Sequence, residues 1–320
     1  MSSRARKKKQ KHVVSAGSER VKKQIHPRVR YILILVCVAA VLVTSTPLLY
    51  KLFLNQSKPL SETNKNVMKK IPPDVKKAMS DNSLPASVLP SVRVPILLYH
   101  YIEYVQDKKD VTRQLLNINP NIFEQQVKTL VDAGYTFMTA QELGDILDGK
   151  GKLPQKPILL TFDDGHWDFA TVVLPILKKY HVKATAYIIS GFIGGADFMT
   201  SDQLKNVIAS GLVEIGDHTV NHVSLKGKLY PIVQYEVDAG RILLEEQYHI
   251  HVVSFAYPGG SFDEQAIAVV KDDRFATAVS TIPGIIQSQQ NRYFLFRIRP
   301  GYRMGSQLLT FLTQSAFNVY

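Results

Sequence analysis

Residues 157–165 read Pro-Ile-Leu-Leu-Thr-Phe-Asp-Asp-Gly, an apolar run that ends in a turn sequence. A short apolar run closed by Asp-Asp-Gly predicts a buried strand over residues 157–162. Successive residues of a strand point to opposite sides, so Asp163 and Asp164 can take different roles only where the strand opens into a loop. One of the two carboxylates can then bind a metal ion while the other faces a substrate.

The segments around this strand alternate between helical and extended patterns. Helices are predicted by apolar residues at near-helical spacing over 123–131, 139–147 and 169–180. Strands are predicted over 94–100, 185–189, 213–215 and 252–257. This alternation predicts a parallel sheet, and eightfold repetition would predict a closed barrel. The polar residues fall at the C-terminal ends of strands, where these folds place their sites.

A second polar group, His218-Thr-Val-Asn-His222, follows the strand predicted at 213–215. The pair lies on the loop or on the first helical turn after that strand, and on one turn two imidazoles four residues apart share a face. Two neutral imidazoles and one carboxylate suit Zn²⁺ and leave coordination positions for water and substrate. An Asp-Asp-Gly turn or a His-x-x-x-His pair is unremarkable alone. Their joint occurrence at strand ends favours a metal-assisted hydrolase.

The two motifs resemble those of the polysaccharide deacetylases of carbohydrate esterase family 4, which carry Thr-Phe-Asp-Asp-Gly and His-Ser/Thr-x-x-His. The similarity runs from about Val94 to about Tyr302 and includes the helix that begins near Asn119. It implies a distorted or incomplete (β/α) barrel of parallel strands that removes N-acetyl groups from amino sugars. Carried over by position, it makes Asp163 the general base. The metal ligands it implies are Asp164, His218 and His222, for Zn²⁺ or, as alternatives, Co²⁺, Ni²⁺ or Mn²⁺.

The third motif departs from the family pattern, which is Arg-x-Pro-Tyr. Residues 255–260 read Phe-Ala-Tyr-Pro-Gly-Gly, so Ala256 stands in place of the Arg and Gly259 in place of the Tyr. The backbone N–H of Gly259 can still face an oxyanion. Arg297 and Arg299 are the candidates to replace the missing Arg. They are two residues apart on a predicted strand, so their side chains point to the same side. Solvated charges at a sheet edge are the alternative interpretation of both.

The late motif of the family, an apolar strand that ends in the general-acid His, has no match near the C-terminus. The segment Val94 to His100 has this character and precedes the first motif. This order resembles the subgroup of exopolysaccharide deacetylases with circularly permuted motifs. The first and last strands of a closed barrel are neighbours, so His100 is expected at the same rim as the general acid, with a structural role as the alternative. His166 is expected in the cleft wall or in a packed loop.

The first ninety residues place the protein in the cell. Residues 1–30 form a basic tail, and residues 31–50 are a stretch of twenty residues without a charge, long enough for a transmembrane helix. The positive-inside rule keeps the tail in the cytoplasm and exports the rest. A polar stalk over 51–93 then leads to the deacetylase domain over 94–320. A cleavable signal peptide is the alternative, although this apolar stretch is longer than the ~7–15 residues of most signals.

The charge of the chain is concentrated in the tail. Residues 1–30 contain eleven Lys and Arg and one Glu, which is +10 of the total of +12 and leaves +2 for residues 31–320. The basicity therefore directs membrane insertion, and no nucleic-acid partner is predicted. The only cysteine, Cys37, lies in the predicted membrane span, so no disulfide stabilises the exported part.

The sequence thus predicts a membrane-anchored, extracellular deacetylase of an N-acetylated polysaccharide. Two other functions are compatible with the motifs. One is a metal-dependent hydrolase of another amide or ester, which would use the same site. The other is a non-catalytic, membrane-tethered glycan-binding module, which the presence of Asp163 and His222 disfavours. The sequence gives neither the polysaccharide nor the oligomeric state.

Overall fold

The computed structural model describes residues 91–107 and 109–314. The predicted cytoplasmic tail, the transmembrane helix and all but the end of the stalk lie outside the described residues. Within the described ranges, no helix is long and apolar enough to span a bilayer.

The described chain alternates strands and helices. The strands are β1 (Val92–Arg93), β2 (Ile96–Tyr99), β3 (Thr136–Met138), β4 (Pro157–Phe162), β5 (Ala184–Ile188), β6 (Val213–Asp217), β7 (Ser254–Ala256), β8 (Thr277–Pro283), β9 (Ile286–Gln287) and β10 (Leu295–Arg297). The α-helices are α1 (Val111–Leu116), α2 (Pro120–Asp132), α3 (Ala140–Leu147), α4 (Leu174–Tyr180), α5 (Ser201–Ala209), α6 (Tyr230–Tyr248), α7 (Glu264–Asp272) and α8 (Gly305–Gln314).

The strands form a nearly closed barrel. Their order is β10-β8-β7-β6-β5-β4-β2, with β3 paired to the start of β4, and all these pairings are parallel. The two ends of the order meet where Leu97 bridges Ile298, the residue after β10. Here Leu98 N–H donates to the Ile298 carbonyl at 3.0 Å, and Ile298 N–H donates to the Ile96 carbonyl at 2.9 Å. The first and last strands are therefore neighbours, as the permuted motif order requires. A separate antiparallel pair joins β1 to β9.

The helix α3 lies across the N-terminal ends of several strands. Its first N–H donates to the Thr185 hydroxyl of β5, its second donates to the Glu214 carboxylate of β6, and Gly144 packs on Thr277 of β8. Its apolar side joins a buried cluster with alternate residues of the strands. A larger apolar cluster packs the other strand residues against the outer helices. With one end of the barrel covered, the site forms at the C-terminal ends of the strands.

The predicted elements are observed with ends that differ by up to three residues, and one helix begins irregularly. The helix predicted over 169–180 begins with a π-helical turn at Phe169–Val173 and becomes α4 only afterwards. Pro175 lacks an N–H, so the regular hydrogen-bond ladder is interrupted shortly after the Asp-Asp-Gly turn. The strand predicted over 252–257 is shorter, at Ser254–Ala256.

Candidate active site

The turn after β4 separates the two neighbouring carboxylates. Asp163 continues the strand, and its N–H donates to the Tyr99 carbonyl at 3.1 Å. Asp164 then adopts φ 76° and Gly165 φ 79°, so two successive left-handed residues reverse the chain. A left-handed conformation is costly for a residue other than glycine, and such residues are concentrated at functional sites.

Asp164, His218 and His222 meet at the C-terminal end of the barrel. Their ligand atoms all lie within 4.8 Å of one another. Oδ1 of Asp164 lies 3.4 Å from Nε2 of His218 and 3.3 Å from Nε2 of His222. This oxygen is buried and has no hydrogen-bond partner among the described residues. The structure therefore brings together the three side chains that the sequence proposed as ligands.

The donor set fits a divalent cation. Nδ1 of His218 lies 2.6 Å from the carbonyl oxygen of Ala256 and therefore carries the ring hydrogen. The lone pair of Nε2 is then free to bind a cation. Burial alone would raise the pKa of Asp164, but the facing imidazoles of His166, His218 and His222 hold it well below its ordinary value. The site thus offers an ionised carboxylate and a correctly oriented imidazole, which suits Zn²⁺ chemistry.

The two histidines lie on a loop, so the alternative of a shared helical turn is wrong. Thr219 has φ 69° and His222 φ 53°, conformations that no right-handed helix contains. The Thr219 hydroxyl accepts from the His222 N–H at 3.0 Å, and the Thr219 N–H donates to Asp217 at 3.1 Å. A loop closed by its own side chains, rather than a helix, brings the two imidazoles together.

A buried carboxylate on α6 holds this loop from behind. Glu236 accepts from the N–H of Asn221 at 2.9 Å and from its side-chain amide at 2.8 Å. Asn221 directly precedes His222, so this pair of bonds fixes the position of the second histidine. Glu236 was not predicted from the sequence, because it belongs to no motif and lies 15 residues from its partner.

We expect Glu236→Gln to weaken metal binding. The amide can replace only one of the two accepting oxygens, and residues that orient metal ligands typically change affinity by about 10- to 100-fold. Calorimetric titration of metal-free protein with Zn²⁺ would measure this change. Glu246→Gln, an exposed substitution on the same helix, is the matched control. Equal affinities for the two variants would show that the Asn221–Glu236 contact does not position the loop.

His166 contacts a residue of the site in addition to packing in a loop. Its Nε2 lies 3.3 Å from Oδ2 of Asp164, and its Nδ1 lies 3.1 Å from the carbonyl oxygen of Asp197. The ring is stacked between Tyr101, at 3.9 Å between centroids, and Phe198, at 5.0 Å. His166 is thus both packed in a loop, as expected, and in contact with the carboxylate oxygen that faces away from the two histidines.

Asp163 forms a buried ion pair with Arg297. The guanidinium donates to both carboxylate oxygens at 2.7 Å and also to the hydroxyl of Thr161 and the carbonyl of Ser280. Burial alone would raise the pKa of Asp163, but the charge and hydrogen bonds of Arg297 hold it below its ordinary value. Of the two arginines proposed as substitutes, Arg297 is the one in contact with Asp163.

Two other predicted support residues lie at the rim. Arg299 is exposed, and its charge acts on His100 by lowering that residue's pKa. Gly259 follows β7, is exposed, and has φ 60°. Both lie near the end of the barrel that carries the site. Among the described residues, neither forms a hydrogen bond with Asp164, His218 or His222.

His100 follows β2, next to Asp163. The Tyr99 carbonyl accepts from the Asp163 N–H, so the two strand ends are in register. Nδ1 of His100 is buried and finds no hydrogen-bond partner in the part of the chain that the structure describes. Burial lowers its pKa to about 4, against the opposing effect of Asp163 and Asp164. The imidazole is therefore neutral at pH 7, with one nitrogen unpaired beside the carboxylates.

Comparison with known proteins agrees with this geometry. The family model "Polysaccharide deacetylase" matches residues 150–278. The solved structure of Streptococcus pyogenes deacetylase PplD in complex with acetate is 32% identical, covers 69% of this chain and 97% of its own, and superposes with a TM-score of 0.64. The chain belongs to the polysaccharide deacetylase family. The resemblance stated from the two motifs is thereby confirmed.

Two curated polysaccharide deacetylases extend the comparison. "Putative polysaccharide deacetylase YxkH" of Bacillus subtilis is 29% identical over 266 residues, which is 83% of this chain and 89% of that protein. "Poly-beta-1,6-N-acetyl-D-glucosamine N-deacetylase" of Staphylococcus aureus is 26% identical over 231 residues, or 68% of this chain and 79% of that protein. The family-model match contains both motifs and Gly259, while His100 and Arg297 lie outside it.

Proposed function

We propose that the chain is a metal-dependent deacetylase that hydrolyses N-acetyl groups of amino sugars in a cell-surface polysaccharide. The observation that carries this proposal is the arrangement of the Asp164, His218 and His222 cluster beside the Asp163–Arg297 pair. A deacetylase needs a cation site and a base at one place, and the barrel rim supplies both. The name of the Staphylococcus aureus relatives makes poly-β-1,6-N-acetyl-D-glucosamine the first polymer to test.

The three ligands would hold Zn²⁺, with Co²⁺, Ni²⁺ or Mn²⁺ as alternatives for the same donors. When bound, the cation would act as a Lewis acid that polarises the acetamide carbonyl and lowers the pKa of water. His166 keeps the Asp164 carboxylate oriented by contact with Oδ2, which leaves Oδ1 directed at the two histidines.

Asp163 acts as the general base. The ion pair with Arg297 keeps it ionised, and each carboxylate oxygen retains a second lone pair after accepting from the guanidinium. The carboxylate can therefore take a proton from the attacking water while Arg297 holds it in place. In this role Arg297 replaces the arginine that the third motif lacks.

His100 acts as the general acid for the departing amine. Burial lowers its pKa to about 4, so the ring is neutral before reaction, and the negative charges of Asp163 and Asp164 oppose this shift. An oxyanion that develops on the substrate beside the ring raises this pKa further, so the ring takes up a proton from solvent and passes it to the departing nitrogen. The backbone N–H of Gly259 is the proposed donor to this oxyanion.

We expect His100→Ala to lower turnover of an N-acetyl sugar by about 100-fold with little change in metal content. An activated acetate ester should be far less affected, because its leaving group departs without protonation. Parallel assays of the two substrates with the same enzyme would measure the difference. An equal loss on both would count against general-acid action by His100.

Mass spectrometry of defined N-acetylglucosamine oligomers and of peptidoglycan fragments tests the proposed activity. The purified protein with added Zn²⁺ should remove acetyl groups from at least one of these glycans, and a chelator should stop the reaction. An absence of acetate release from every glycan, with metal bound, would contradict the proposal.

The location of the enzyme is a further part of this proposal, and it rests on the sequence. With the N-terminus in the cytoplasm and residues 51–93 as an external stalk, protease added to intact cells should release the catalytic domain. Immunoblotting of the medium would detect it. Protection in intact cells that is lost on lysis would place the domain inside.

A further inference from the structure

A groove runs along one flank of the proposed active site. It is called the side groove here and is lined by the segment from Glu103 to Val105, one face of α1, the start of α2 and Tyr302. It adjoins the catalytic rim through Tyr101, and one of its lining residues, Tyr302, follows the strand end that carries Arg299. The Tyr101 carbonyl accepts from the Ile118 N–H at 2.9 Å, and Tyr302 follows Arg299 by three residues. Tyr101 stacks on His166 and pairs with Asn117, which lines the groove, so Tyr101 lies between the groove and the site.

The side groove exposes apolar side chains to solvent. Tyr104 is 52% exposed, Tyr302 59% and Leu115 73%. Gln114 and Asn119 line the same space and bring amide groups among them. Its volume of about 560 Å³ lies within the ~300–1,000 Å³ range of ligand sites. Contiguous exposed apolar surface beside polar groups commonly marks a binding site.

The walls of the groove are held in place before any ligand arrives. Arg113 of α1 pairs with Glu103 at 2.7 Å and with Asp197 at 3.2 Å, and its guanidinium lies 4.6 Å from the ring centre of Tyr101. The Asn117 side chain accepts from the Glu103 N–H at 3.0 Å and donates to its carbonyl at 2.9 Å. A preformed groove binds a ligand without the entropic cost of ordering its walls.

We infer that the side groove binds a sugar unit of the substrate polymer adjacent to the unit that is deacetylated. This inference rests on the proposed function, because a polymer with one unit at the site must continue along the surface. A pyranose ring presents an apolar face of C–H groups, which packs on an aromatic ring, and hydroxyl and acetamido groups at its edge, which bond to amides. Tyr104, Tyr302, Gln114 and Asn119 supply both kinds of contact.

The test compares short and long substrates. The double variant Tyr104→Ala/Tyr302→Ala should lose about tenfold in kcat/KM on an N-acetylglucosamine hexamer, equivalent to about 1.4 kcal/mol. An activated acetate ester, which has no second sugar to place in the groove, should be hydrolysed at nearly the wild-type rate. Tyr235→Ala is the matched control, since Tyr235 is 56% exposed on α6, outside the groove. Equal losses on the ester and the hexamer, or no loss on either, would overturn the inference.

Binding separates this inference from the proposed function. Calorimetry of the full chain with the hexamer should show about tenfold weaker binding for the double variant than for Tyr235→Ala, whether or not acetate is released. If the wild-type protein binds the hexamer in this way without turnover, the proposed function fails and the groove assignment stands. If the double variant binds as tightly as the control, the groove assignment fails.

Discussion

Asp163→Asn should lower kcat by about 100-fold or more while leaving metal content unchanged. The amide has nearly the same shape but cannot take a proton from water, and Asp163 is not among the clustered ligand side chains. Acetate release and metal analysis of the same preparation measure the two properties. Asp164→Asn is the matched comparison and should lose both metal and activity. Near-normal turnover by Asp163→Asn would show that Asp163 is not the general base.

The pH profile offers a check on the same residue. Arg297 holds the pKa of Asp163 below its ordinary value, so the carboxylate stays ionised as the pH falls through the usual carboxyl range. Activity should therefore not be limited by protonation of Asp163 near pH 4, and any acidic loss above that pH must come from other groups.

Arg297→Ala should have the largest effect on stability. The substitution leaves the buried carboxylate of Asp163 unpaired, which typically lowers the free energy of unfolding by about 3–5 kcal/mol. Arg299→Ala, two residues away and exposed, should change it by about 0.5 kcal/mol or less. Denaturant unfolding of both variants at pH 7 measures the difference. Equal stabilities would show that the ion pair contributes nothing measurable.

The sign of the pH effect follows from the depressed pKa of Asp163. A carboxyl with a depressed pKa stabilises the fold above its unfolded pKa, and this contribution is lost as the pH falls through the folded pKa. Without Arg297, burial dominates and raises the pKa of Asp163. The stability difference between wild type and Arg297→Ala should therefore shrink as the pH is lowered from 7 towards 3.

The strand at 157–162 was predicted to the residue, because a strand buried on both faces is a continuous apolar run closed by a turn. The three clustered side chains were also predicted, since C-terminal ends of parallel strands meet at one rim. For Asp163, alternation pointed to both Arg297 and Arg299. Only the folded barrel shows which arginine crosses to a carboxylate 134 residues earlier in the chain.

The residues that support the cluster were less accessible to sequence reasoning. The contact of His166 with Asp164 depends on stacking between Tyr101 and Phe198, which are far from one another in sequence. Glu236 lies on a helix, and nothing in the helix sequence distinguishes it from an exposed polar residue. Its role depends on the contact with Asn221, which only the fold brings about. The loop itself requires left-handed residues at Thr219 and His222, which a helical spacing of histidines does not reveal.

The most direct measurement titrates metal-free protein with Zn²⁺ and follows bound metal and acetate release in the same samples. We predict that both rise together and reach a plateau at about one ion per chain, and that Asp164→Asn shows neither. Full acetate release by the metal-free protein, or full release by Asp164→Asn without bound metal, would contradict a metal-dependent deacetylase at this site.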